Sequence, residues 1–124
     1  MDLARASKLG GILLIGLVGL IHLVEAPDHF ADVAYIGWIF LVLVLGTLVA
    51  IIGIDQEQRW GWLLGVALSA VSFVAFIISR TLGLPAYGDA VGDWDQMGIY
   101  SLFAEAVFIG LYLFAPTART SRRG

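Results

Sequence analysis

Charge is distributed along this chain so that four long stretches carry almost none. Between Lys8 and Glu25 lie 16 uncharged residues, between Asp32 and Asp55 lie 22, and between Arg59 and Arg80 lie 20. From Gln96 to Ala118, 23 residues are interrupted by Glu105 alone. A helix needs about 20 apolar residues, rising 1.5 Å each, to cross a hydrocarbon core of roughly 30 Å. The pattern therefore predicts four spans: Ser7–Glu25, Val33–Ile54, Trp60–Leu82 and Met97–Phe114. The first and last are short, which implies little tilt or local thinning of the bilayer. No ten-residue segments of alternating polarity occur, so a transmembrane β-barrel does not fit. Short first and second connections imply an all-α, integral membrane, up-down-up-down four-helix bundle.

Composition supports the same class. The chain is 60% hydrophobic and 14% charged, against roughly 45–50% and about 25% in soluble domains. Its 124 residues suit one transmembrane domain. With no cysteine, disulfides, thiolate metal sites and cysteine nucleophiles are excluded. A net charge of −3 with seven Lys and Arg lacks the basic footprint of a nucleic-acid partner. The expected partner is the lipid bilayer, with a homo-oligomer or a larger membrane complex as further candidates.

The charges set an orientation. Arg5, Lys8, Arg59, Arg119, Arg122 and Arg123 fall on one side of a four-span arrangement, and Arg80 falls on the other. Such asymmetry places both termini in the cytoplasm of a multi-pass protein of the cytoplasmic membrane. Residues 115–124 then form a basic cytoplasmic tail. Asp28, Asp32, Asp89, Asp93 and Asp95 form an acidic rim at the outer face; it serves solvation or concentrates cations at the mouth. Trp60 and Trp62 would mark the inner interface, and Trp38, Tyr87 and Trp94 the outer one. Residues 1–26 resemble a signal peptide ending in Val24-Glu25-Ala26. Pro27 directly after that point makes a poor cleavage site, so the segment is expected to remain a span.

Small residues should hold the helices together, because lipid tails are as apolar as leucine. Gly61, Gly65 and Ser69 share one face of the third helix, with Gly16 and Gly19 on the first and Gly46 and Gly53 on the second. This face can pack within the bundle or between subunits.

Chemistry must come from the few polar groups inside the membrane. His22 and Glu25 share a helical face at i,i+3. Pro27 favours the first turn of a helix. It is therefore expected to start an interfacial turn that brings His29 to His22 and Glu25 across a bend. Arg80 closes the third helix, preceded by Ser69, Ser72 and Ser79. Asp95 is placed to cap the fourth helix. Glu105 lies about 15 Å along that helix from Asp95, with Ser101 one turn before it. An ionisable group at that depth costs about 3 kcal/mol on insertion scales.

Several readings of the cluster stay open. Glu105 pairs with Arg80 or His22 and fixes helix register. His22, Glu25 and His29, completed by Glu105 or Asp93, hold a divalent metal such as Zn, Fe, Mn or Cu. Glu105 titrates within the membrane, with His22 and Arg80 as relay or ion-pair partners, in a proton- or ion-coupled carrier. Haem b between His22 and His29 is disfavoured, because bis-His ligation suits facing helices at matched depth.

The stretch HLVEAPDH at His22–His29, SRTLGLP at Ser79–Pro85 and an acid in the fourth helix together resemble a group of small, uncharacterised four-helix membrane proteins of bacterial type. The resemblance runs from about residue 9 to 114. It implies the four-helix fold and the constellation His22, Glu25, His29, Arg80 and Glu105, and no activity. The hydrolase motif HExxH is absent, the order here being HxxExxxH, and no Ser–His–Asp set or nucleotide loop is present. The expectation is a small polytopic membrane protein with a polar, divalent-metal-binding site at its outer end. It would bind or transport rather than catalyse. The alternative is a structural or accessory subunit.

Overall fold

The computed structural model describes residues 2–115, and these form four long helices: α1 (Leu3–Asp32), α2 (Ala34–Asp55), α3 (Arg59–Thr81) and α4 (Gln96–Phe114). A short 3-10 turn, Gly88–Ala90, lies in the α3–α4 connection. No strand occurs among the described residues. All four helices are long and apolar enough to cross a membrane. Residues 116–124, which include Arg119, Arg122 and Arg123 of the expected tail, lie outside the described residues.

Neighbouring helices run antiparallel. Gly19 faces Thr47 and Gly16 faces Ile51 across α1 and α2; Gly46 faces Leu68 across α2 and α3; Gly65 faces Phe108 and Gly98 faces Phe76 across α3 and α4. α1 closes the ring on α4, where Gly10 meets Leu111. The start of α1, the α2–α3 turn and the end of α4 therefore share one end of the bundle, here the proximal end. The α1–α2 junction and the α3–α4 loop share the distal end.

The first helix departs from expectation. It runs unbroken through Pro27 for 30 residues, about 45 Å at 1.5 Å per residue. The expected span Ser7–Glu25 is thus extended at both ends, and no interfacial turn exists at Pro27. Proline removes one donor, here to the Leu23 carbonyl, and costs about 3 kcal/mol within a helix. The turn beyond it is anchored by packing. Phe30 sits edge-on to Trp38, its ring where a Gly37 side chain would be, and His29 packs at a tilt against Phe40. Only Val33, with φ −143° and ψ 99°, is non-helical between α1 and α2.

The proximal half is a dry plug. Ile15, Val18, Ile54, Trp62, Ala104, Phe108 and Tyr112 are buried together. Trp62 stacks on Phe108 with centroids 5.4 Å apart. Trp62 is thus a core residue and not an interface marker; the space that Gly11 leaves receives its ring. Trp60, Trp38 and Trp94 remain exposed. The glycine face of α3 packs inside the bundle and meets two partners. A Cβ on Gly61 would lie 2.4 Å from the Ile54 amide nitrogen on α2, and one on Gly65 would lie 2.5 Å from the Phe108 ring on α4. Ser69, next on that face, is fully buried.

Candidate functional site

Polar groups are buried mainly in the distal half. Because α1 stays helical, His22, Glu25 and His29 follow at i, i+3 and i+7 on one continuous stripe. They converge along a helix and not across a bend. His22 is buried, and its Nδ1 lies 2.8 Å from the Val18 carbonyl. A carbonyl only accepts, so Nδ1 carries the proton and Nε2 is the atom left for other partners. Phe40 of α2 wedges between the two imidazoles, its ring centroid 4.7 Å from His22 and 4.3 Å from His29. The Tyr87 hydroxyl lies 3.2 Å from His29 Nδ1.

Arg80 organises the distal loop. Its guanidinium donates from Nε to the Asp93 carbonyl at 2.6 Å, from Nη1 to Ser79 Oγ at 2.7 Å and from Nη2 to Asp95 Oδ1 at 2.8 Å. It lies over the Phe76 ring at 4.4 Å, a cation–π contact. The Arg80 carbonyl accepts from Gly92 N–H at 2.8 Å. Asp95 accepts from the Gly98 amide at 2.9 Å through its other oxygen, so it caps α4 as expected. Burial alone would raise the Asp95 pKa. The Arg80 hydrogen bond, the Gly98 amide and the Arg80 charge outweigh it and hold the carboxyl below its ordinary value. Burial pushes the Tyr87 phenol above its ordinary value despite the nearby Arg80 charge.

Glu105 does not pair with Arg80 or His22. Arg80 bonds Asp95 at the start of α4 instead. Ser101 Oγ donates to Glu105 Oε2 at 2.7 Å, the i,i+4 partnership expected from the spacing. Oε1 of Glu105 is buried and has no hydrogen-bond partner, and the same is true of Ser69 Oγ. Leaving such a group unsatisfied costs about 1–3 kcal/mol, more where it is charged.

These residues line a cavity of about 40 Å³ between Glu105, Ser101, Ser72, His22, Arg80 and the distal Glu25, His29 and Asp95. That volume has room for two to four water-sized ligands at about 10–15 Å³ each. Below Glu105 the plug begins at once, because Phe108 is fully buried one turn on.

The expected metal set is brought to one cavity wall, yet no group of three or more His and acidic residues among those described is close enough to hold a metal ion. On one unbroken helix His22 and His29 stand seven residues apart, roughly 10 Å along the axis, and Phe40 packs against both rings. Of the acidic rim, Asp28, Asp32, Asp89 and Asp93 are exposed; Asp95 joins the Arg80 network through its carboxylate and Asp93 through its backbone carbonyl. Sequence reasoning missed Phe40, Phe76 and Tyr87 as site residues. Phe76 sits one helical turn before Arg80, a signal that spacing carried. Tyr87 lies in an irregular loop, where no periodicity points to it. No protein-family model, curated protein or solved structure matches this chain.

Proposed function

We propose that the chain is a multi-pass protein of the cytoplasmic membrane with both termini in the cytoplasm, and that its outer half is a one-sided polar chamber. The chamber binds a proton or a small cationic hydrogen-bond donor at Glu105, reached past Glu25 and His29. The observation that carries this reading is the buried Glu105 Oε1, which lines a polar cavity and lacks a partner. A carboxyl so placed is completed by a proton or by a donor ligand. The Phe108–Trp62 plug supports binding from one side rather than free conduction.

Proteoliposomes loaded with a pH dye test the carrier form. Wild type should dissipate an imposed cation or pH gradient, and Glu105→Gln should fall to the rate of empty liposomes. Equal rates for the two proteins remove the carrier form. Infrared spectroscopy tests the binding form: a buried carboxyl band that moves with pH should vanish in Glu105→Gln, and its persistence unchanged would sink the assignment. A second reading, an accessory subunit of a larger complex, draws on the Arg80–Asp95 network, which serves to fix one loop geometry. A partner retained at fixed stoichiometry during purification supports it.

A further inference from the structure

A second cavity, larger and of different character, lies between α2 and α3. Its volume is about 130 Å³, close to that of the apolar cavity of roughly 150 Å³ that takes up benzene. It exists because α2 and α3 touch backbone to backbone at Gly53 and Gly61 near the proximal end and leave a crevice toward the distal end. Its lip carries Ile39 and Val71, 54% and 66% exposed, so it opens on the outer face of the bundle. Phe40, Phe76 and Tyr87 supply aromatic walls.

Its inner wall is polar. His22, Ser72, Ser79 and Arg80 line it, and His22, Ser72 and Arg80 also line the Glu105 chamber. With His22 Nδ1 bonded to the Val18 carbonyl, Nε2 is the ring nitrogen left for a ligand, an acceptor when the imidazole is neutral. The Arg80 guanidinium is engaged by Asp93, Ser79 and Asp95 and is also hydrogen-bonded to the Tyr87 side chain, which leaves one of its five N–H donors. An imidazole, a guanidinium and two serine hydroxyls thus line a slot of roughly one-ring volume that opens outward through apolar side chains.

We propose that this crevice binds the ring of an amphiphile of the quinone–quinol class, with its apolar tail leaving past Ile39 and Val71. The ring stacks on the aromatic walls and a ring oxygen accepts from Arg80 or Ser72 in either redox form; in the quinol form a hydroxyl also donates to His22. The proposal rests on the membrane placement above, because the tail needs lipid at the crevice mouth. It does not depend on what binds at Glu105.

Calorimetric titration of the full chain in detergent with decylubiquinone tests it, with decyl alcohol as the ringless control. Wild type should bind saturably. Ala75→Trp, which fills the crevice, and Ile39→Phe, which narrows its mouth, should each weaken binding about tenfold or more, a shift near 1.4 kcal/mol. Val107→Trp, on the exposed face of α4, should bind as wild type does. Circular dichroism establishes that each variant is helical, and if Ala75→Trp does not fold, Ile39→Phe at an exposed position decides. No saturable binding, unchanged binding in the folded crevice variants, or equal displacement by decyl alcohol overturns the proposal. Release of the protein from membranes by alkaline carbonate would instead overturn the membrane placement, a separate failure with a separate readout.

Discussion

At the scale of single residues, the glycines divide into those whose missing side chain is occupied and those facing open space. Gly61 is the first kind, and Gly61→Ala forces its Cβ into the α2 backbone. Overpacking of this sort should cost about 1–3 kcal/mol, read as a lower unfolding midpoint in detergent. Gly110 is the second kind: a Cβ there would meet nothing within 4 Å. Gly110→Ala should stabilise α4 by up to about 1 kcal/mol. A loss of stability there would show that this part of α4 packs against another molecule. Sequence spacing put Gly61, Gly65 and Ser69 on one face correctly. It could not divide that face between α2 and α4, because periodicity gives direction around a helix and not what stands opposite. The same limit explains Glu105: its depth and its Ser101 partner were legible, whereas its separation from Arg80 depends on how the α3–α4 loop folds back.

At the scale of elements, α1 and the α3–α4 loop carry the lessons. Local propensity opposes a helix at Pro27, which is why the expected first span stops short of it. Tertiary contacts of His29 and Phe30 override that preference. Pro27 is exposed, so Pro27→Ala restores a donor to the Leu23 carbonyl without a clash. It should raise the thermal midpoint, by up to about 3 kcal/mol of added stability. The loop hangs on the Arg80–Asp95 pair. The Asp95 carboxyl titrates below its ordinary 3.8 in the folded protein, so its ionised form favours the folded loop. That contribution is complete above the ordinary value and is lost as pH falls through the lowered one. Proteolysis within residues 82–95 should therefore accelerate on acidification below about pH 4. Asp95→Asn should be cut faster at neutral pH and show a flatter acid response; identical pH profiles would refute the assignment.

At the scale of the whole molecule, charge asymmetry and antiparallel packing make one joint statement about sidedness. The chain contains no cysteine, so single-cysteine variants report without background. In intact cells, Asp89→Cys should react with an impermeant maleimide and Gln56→Cys should react only after lysis. The reverse pattern would invert the proposed orientation. The class of fold was legible because bilayer thickness dictates segment length, and no comparable constraint dictates where cavities form. One further consequence comes from Val33, the sole non-helical residue between α1 and α2. A junction that short has no slack: neither helix can slide or swing against the other without unwinding a turn. The links of Arg80 to Asp93 and Asp95 are by contrast noncovalent and reversible. Any opening of the Glu105 chamber is then a movement of α3 and α4 against a fixed α1–α2 frame, and amide exchange should be fastest around residues 82–95 and slow on both sides of Val33.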